Sequence, residues 1–278
     1  EGQLKQQWVT SCRLFTPRQT SSRVVAMEPA KQNYHFHHIT PFTPKTFSTH
    51  QGKEVLTQWG LENFLKVNKF RIDGSVRKTD HENILSEFLS DQTIANILEL
   101  SGTLTYPVEL DLVELKTTVR SMEFFDRLQT HGISSASGTI SGCFEEMYDG
   151  IMVGDLLREM LLNRDSINCD IYSEEEKDEF IFKLFKILCV GGSMCQPDTT
   201  TSRYLEIAKA LYKELLVLYK ASDSGDIRCA CRVFDIKGVG GYDIFPTSAN
   251  SSNSSLIIVV NHMEKLITTI KMTHSSFW

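Results

Sequence analysis

The chain has 278 residues, of which 41% are hydrophobic, 23% charged and 10% aromatic. That composition excludes a mainly disordered chain, a collagen-like fibre and a disulfide mini-protein, and the length supports one large domain or about two. Lys and Arg number 29 against 35 Asp and Glu, a net charge of −6, which argues against duplex DNA or an anionic membrane as partner, because both attract basic faces.

Residues 1–33 differ from the rest. They carry Lys5, Arg13, Arg18, Arg23 and Lys31 against Glu1 and Glu28, among many Ser, Thr and Gln residues. The stretch reads as a disordered tail or a non-native extension upstream of the first methionine, Met27, in preference to a mitochondrial transit peptide. Thr40 to Phe47 holds two prolines and reads as extended. Lys53 to Lys66 has helical spacing through Val55, Leu56, Trp59 and Phe64. Phe70 to Ile72 is a short extended piece closed by Asp73-Gly74. Helical spacing returns at Ile84, Leu85, Phe88 and Leu89, then at Ile94, Ile97, Leu98 and Leu100, with Gly102 as a C-cap.

Val108 to Leu115 alternates as a strand after Pro107. A short helix is expected around Met122 to Leu128, a Ser- and Gly-rich loop or weak strand over Gly132 to Gly142, and a helix from Asp155 to Leu162. The clearest helix is expected from Glu174 to Val190. Ser173 and Glu176 form a capping box, the acidic run Glu174 to Glu179 lies at the positive end of the dipole, and Gly191-Gly192 stops it. That acidic run is a solvated helix start or an acidic docking face. A second long helix, capped by Ser202, is expected to run to Lys220. The period then changes to alternation: Ile227 to Phe234, Leu256 to Val260 and Leu266 to Met272 read as strands, with a Ser- and Asn-rich loop at Thr247 to Ser255. Helices mixed with antiparallel strands, without regular βαβ alternation, predict an α+β fold in which 34–278 is a single compact domain.

The chemistry-bearing residue types are few. Cys229 and Cys231 place two thiols on one strand face, but no second pair at a zinc-ligand spacing accompanies them, so they read as small buried hydrophobes. The seven scattered cysteines read as reduced thiols of a cytosolic compartment. His35, His37 and His38 are the only His cluster, too small a set for a metal site. Gly238-Val-Gly-Gly241 precedes no helix and lacks the phosphate-loop context. The longest strictly apolar run, Leu256 to Val260, is far short of the roughly 20 residues of a membrane span.

The segment Ile171-Tyr-Ser-Glu-Glu-Glu-Lys-Asp-Glu-Phe-Ile-Phe-Lys-Leu-Phe-Lys-Ile-Leu-Cys-Val-Gly-Gly-Ser-Met-Cys-Gln196 carries a specific string, F-x-L-F-K-x-L-C-x-G-G-x-x-C-Q. It resembles the cilia- and flagella-associated protein 300 family. Tyr204-Leu205-Glu206, Leu211 to Leu215, Val233-Phe234, Tyr242-Asp243 and Pro246 agree with the same family. So, more thinly, do Phe42 to Phe47, Gln58-Trp59 and Phe124-Phe125-x-Arg-Leu128. The resemblance spans 34–278 and is dense over 144–246. The C-terminal strand pair keeps the family's pattern but not its residues.

The resemblance implies a ciliary or flagellar protein without enzymatic activity, needed for assembly of outer and inner axonemal dynein arms and for cilium motility. It implies an adaptor in cytoplasmic preassembly or transport, found in cytoplasm and motile axoneme. Its partners would be proteins: dynein arm assembly factors, dynein subunits or ciliary transport machinery. Nucleic acid, membrane and cofactor are not implied, and no catalytic, cofactor, metal or partner-binding residue carries over. Two alternatives stand beside it: a structural axonemal component, and a nucleotide-binding enzyme built on Gly238 to Gly241 with Cys229 and Cys231.

Overall fold

The computed structural model describes residues 34–77, 79–100, 105–220, 227–245 and 253–274. In chain order the elements are β1 (His35–His38), α1 (Lys45–Ser48), α2 (His50–Gln58), β2 (Leu65–Asp73), α3 (His81–Ser90), α4 (Gln92–Ile97) and β3 (Leu110–Leu115). A 3-10 turn (Met122–Phe125) leads into α5 (Arg127–Thr130), β4 (Gly142–Tyr148), β5 (Ile151–Asp155) and α6 (Leu156–Leu162). A second 3-10 turn (Cys169–Ile171) precedes α7 (Glu174–Lys177), α8 (Phe180–Val190) and α9 (Thr201–Leu215). Strands β6 (Leu218–Lys220), β7 (Ile227–Cys229), β8 (Cys231–Val239), β9 (Tyr242–Asp243), β10 (Ser255–Asn261) and β11 (Leu266–Met272) complete the chain.

One antiparallel sheet organises the molecule, in the order β1-β2-β11-β10-β8-β3, with β9 folded back on β8. The fold is α+β, as the sequence predicts. Both faces of the sheet are covered. Leu256, Ile258 and Val260 join Phe70, Phe234 and Ile267 in a smaller core under α3 and α4, where Ile84, Leu85, Phe88 and Leu89 point inward. Ile257 and Val259 join Val233, Ile270 and Met272 in a larger core under α8 and α9, with Trp59, Phe180, Phe185 and Tyr204. This explains the unbroken apolar run of β10: a central strand with no wet face has no position for a polar side chain to alternate into.

Several boundaries differ from the expectation, each because a distant partner intervenes. The helix expected over Lys53 to Lys66 ends at Gln58, since Leu65 and Lys66 pair with Met272 and Lys271. The extended piece Phe70 to Ile72 is therefore the end of a nine-residue strand. The helix expected over Glu174 to Val190 is two helices. Lys116 at the end of β3 donates its amide to the Asp178 carbonyl (2.9 Å) and accepts from the Phe180 amide (2.8 Å), which pulls Glu179 into an extended conformation.

Helix α9 stops at Leu215 rather than Lys220, and Thr200, not Ser202, occupies its N-cap. The strand expected over Ile227 to Phe234 breaks at Ala230, whose amide turns to the Val217 carbonyl (2.8 Å), and resumes to Val239. The β4–β5 ribbon is a pair of strands that the hydrophobic pattern does not predict, and Asp149-Gly150, both at positive φ (50° and 77°), is the hairpin dipeptide between them. The Gly102 cap, the extension over 1–33 and most of the loop from Thr247 lie outside the described residues.

Candidate functional site

The two halves of the enzymatic alternative do not meet. Gly240 and Gly241, at φ 61° and 76°, form the exposed two-residue turn between β8 and β9. Cys229 and Cys231 lie at the opposite end of β8 and on two strands, not one. Cys231 is buried in the larger core, and Cys229 packs against it half-buried. The Cys231 amide donates to the Cys229 sulfur, and the Val217 amide to the Cys231 sulfur, each at 3.4 Å. Hydrogen bonding from Cys231 holds the Cys229 thiol below its ordinary range, with the Thr117 hydroxyl and Arg120 assisting and burial opposing. The same hydrogen bond and burial push the Cys231 thiol up. Burial, with Arg158 opposing and Asp155 and Asp198 assisting, pushes the Cys195 thiol up to about 11.

The histidines are divided by the pleat of β1. His37 faces outward and pairs with Asp73 (2.8 Å), while His38 turns to the other face and stacks on Phe70 at 4.8 Å. Among the described residues, no group of three or more His, Cys, Asp or Glu side chains lies together as a metal site would require.

The acidic run is consumed internally. Ser173 and Glu176 form the expected capping box, and Glu176 also takes a bidentate bond from Arg127 at 2.7 and 2.6 Å. Glu174 pairs with Lys177, Glu175 with Lys116 and Asp178 with Lys183. Glu179 is buried and accepts from both the amide and the hydroxyl of Thr118.

The string that marks the sequence, from Leu184 to Gln196, builds a clasp. Gly191 caps α8 at φ 67°. Gly192 donates to the Trp59 carbonyl (2.9 Å) and Gln196 to the Gln58 carbonyl (2.8 Å). A side chain at Gly192 would place its Cβ 1.9 Å from the Gly60 carbonyl oxygen. Trp59 stacks on Tyr204 at 4.5 Å, and its Nε1 donates to Asp198 (2.7 Å), which also receives Gln58 and Arg203. Tyr204 Oη accepts the Asp198 amide at 2.8 Å. These residues lock α2, α8 and α9 together and present no free nucleophile or base.

What the molecule does present is the β4–β5 ribbon. It stands outside the main sheet and is rooted by Val153, fully buried, and by Leu157 of the following α6. Phe144 is 86% exposed; Met147 and Met152, opposite each other in the register, are 47% and 54% exposed. Glu145 and Glu146 are exposed between them. Wide, adaptable apolar side chains held in water on a braced ribbon are suited to a protein partner, not to chemistry. Periodicity did not find this surface, because alternation that buries nothing carries no hydrophobic signal.

A family model described as cilia- and flagella-associated protein 300 matches residues 33–272. A Paramecium tetraurelia protein of that name is 30% identical over 233 residues, covering 81% of this chain and 88% of that protein. A Chlamydomonas reinhardtii protein of the same name is 26% identical over 239 residues, covering 81% of this chain and 92% of that one. No solved structure matches the chain.

Proposed function

The chain belongs to the cilia- and flagella-associated protein 300 family, and from that premise we propose that it is a ciliary protein acting as a non-enzymatic adaptor in the assembly of outer and inner dynein arms. It works by docking to other proteins, arm assembly factors, dynein subunits or transport machinery, during cytoplasmic preassembly or on the way to the motile axoneme. The observation that carries the adaptor reading is the exposed Phe144, Met147 and Met152 surface on a ribbon braced against the core. The separation of the thiols from the glycine turn supports it from the other side.

The test is removal followed by rescue in a ciliated cell. Cells lacking the protein should keep their cilia, lose outer and inner arms and beat poorly. The tagged protein should co-purify with dynein chains from the cytoplasmic fraction, and the Phe144→Asp, Met152→Glu double variant should fold but neither co-purify nor rescue. Normal arms in the cells lacking it would sink the proposal. A pool that resists salt extraction from demembranated axonemes, with little in the cytoplasm, would replace it with a structural axonemal role.

A further inference from the structure

On this net-acidic chain the cations are not evenly spread. Two adjoining cavities, of about 80 and about 480 Å3, share walls made by Lys183 and Lys186 of α8 and Lys237 of β8. The larger adds Arg164 and Lys177, and the smaller reaches Asn253 and Ser255 at the start of β10. Most of these charges are already answered. Lys177 pairs with Glu174 (2.6 Å), Lys183 with Asp178 (3.1 Å) and Lys237 with Asp235 (2.6 Å). Lys186 and Arg164 make no hydrogen bond or ion pair among the described residues.

An ammonium group set half-buried among other cations with no acceptor is costly unless something else supplies the negative charge. The cost is visible in Lys186 itself. Burial pushes its ammonium down to about 8, with Lys183, Arg164 and Lys237 pushing the same way and only Asp149, on the ribbon turn, opposing. The other ionisable groups lining the cavities are Cys169, Asp170, Tyr172, Glu174, Asp178 and Asp235, and of these Glu174, Asp178 and Asp235 are already paired with Lys177, Lys183 and Lys237. Polar groups point to the same deficit. The Asn253 amide Nδ2 and the Ser255 Oγ, both donors, are buried without a partner, and so is Asp235 Oδ1, an acceptor.

We propose that the smaller cavity, lined by Lys183, Lys186, Lys237, Asn253 and Ser255, binds a small anion of the phosphate class. Tetrahedral phosphate oxygens suit several ammonium groups and neutral donors converging from different directions. The unpartnered Asp235 oxygen selects between anions: a hydrogen phosphate brings its own O–H to donate to it, whereas a carboxylate at neutral pH brings none. The source is either free phosphate and pyrophosphate or a phosphate ester carried by a partner chain. The inference stands independently of the ciliary reading.

Titration calorimetry on the full chain tests it with four probes: orthophosphate, pyrophosphate, N-acetyl-phosphoserine amide, and citrate as the carboxylate control. At least one phosphate should bind at least about tenfold tighter than citrate, and Lys186→Met, which keeps the aliphatic stem, should weaken it by roughly tenfold or more. Preference for orthophosphate or pyrophosphate assigns a free ligand; preference for the serine ester assigns a modified partner. Anion binding restores the Lys186 proton, so the ratio of wild-type to Lys186→Met affinity should fall as pH rises through about 8 and beyond. Taking the ratio cancels the ligand's own ionisation.

Wild-type protein alone supplies a second reading. Lys186 should acylate faster than the exposed lysines at neutral pH, and the tightest phosphate should protect it, as read by peptide mass spectrometry. No binding by any phosphate, citrate binding as tightly, or an unchanged Lys186→Met would overturn the proposal. If that variant fails to fold, absence of phosphate protection at Lys186 in the wild type overturns it equally.

Discussion

Gly192 shows how one residue can be chosen by its surroundings. Its Cβ would meet the Gly60 carbonyl oxygen at 1.9 Å, with the Gly60 carbonyl carbon at 2.8 Å and Phe64 Cδ2 at 2.9 Å. Gly192→Ala should therefore cost about 3 kcal/mol, the upper end for overpacking, which for a body of this size lowers Tm by roughly 6–12 °C. Gly132→Ala is the control: its Cβ would meet nothing within 4 Å, and only the positive φ of 75° is penalised, at about 1 kcal/mol. Scanning calorimetry of the two variants separates a steric role from a conformational one. The Gly-Gly was legible in the sequence as a helix stop. Its second role, as the place where α8 touches the chain after α2, was not, because Gly60 lies far away in sequence.

The thiols follow the same logic. Cys229 accepts from Cys231 and is poised toward thiolate, while Cys231 is not. Timed alkylation near neutral pH should modify Cys229 before the other described cysteines, and Cys231→Val, which removes the neighbouring thiol and keeps the amide donor, should slow that reaction. Equal rates at Cys229 with and without Cys231 would show that the hydrogen bond does not matter. Alternation placed the two cysteines on one strand face; the break at Ala230, made by the Val217 carbonyl, is what turned them toward each other.

At the scale of the element, α7 and α8 show a strong local signal overridden at one point. Capping box, acidic first turn and apolar face all pointed to one helix. The two backbone bonds of Lys116, the residue after β3, divide it between Asp178 and Phe180. Helix α7 is then short, and its hold depends on Glu176, whose carboxyl Arg127 keeps below the usual value near 4.5. A lowered folded-state value means the contribution is complete above about pH 4.5 and is lost as pH falls through that lower value. Both side chains are partly exposed (29% and 41%), so Arg127→Met should cost no more than about 1 kcal/mol at neutral pH. The cost should shrink as pH is lowered below about 4.5 in denaturant titrations. A cost that stays the same in acid would assign it to lost packing on Tyr172, over whose ring Arg127 lies at 5.5 Å.

For the whole molecule, the two cores compete for nothing: each takes alternate residues of the same central strands. Exposed positions should then be separable from stability. The Phe144→Asp, Met152→Glu pair should leave Tm within a few degrees of wild type, because neither side chain joins either core. Ile258→Ala in β10, buried between the neighbouring strands, should cost about 2–5 kcal/mol. A large loss of Tm from the ribbon variant would mean the ribbon is structural and would remove the surface on which the adaptor reading stands.

The sequence by itself determined the helix that ends at Gly191-Gly192, the strand pair Leu256 to Val260 and Leu266 to Met272, the α+β class, the capping box at Ser173, and, through the string ending Gly-Gly-Ser-Met-Cys-Gln196, the family. Each of these depends on residues close together in the chain, where period and caps act directly. Only the tertiary structure decided that the sheet is covered on both faces, that Lys66 belongs to a strand and that Glu179 leaves its helix. It likewise decided that the acidic run is paired, and that Lys183, Lys186 and Lys237 gather around one cleft while Phe144 and Met152 face water. Those outcomes are set by hydrogen bonds and charges between residues tens to hundreds of positions apart, and chain spacing carries no record of which distant group arrives as the partner.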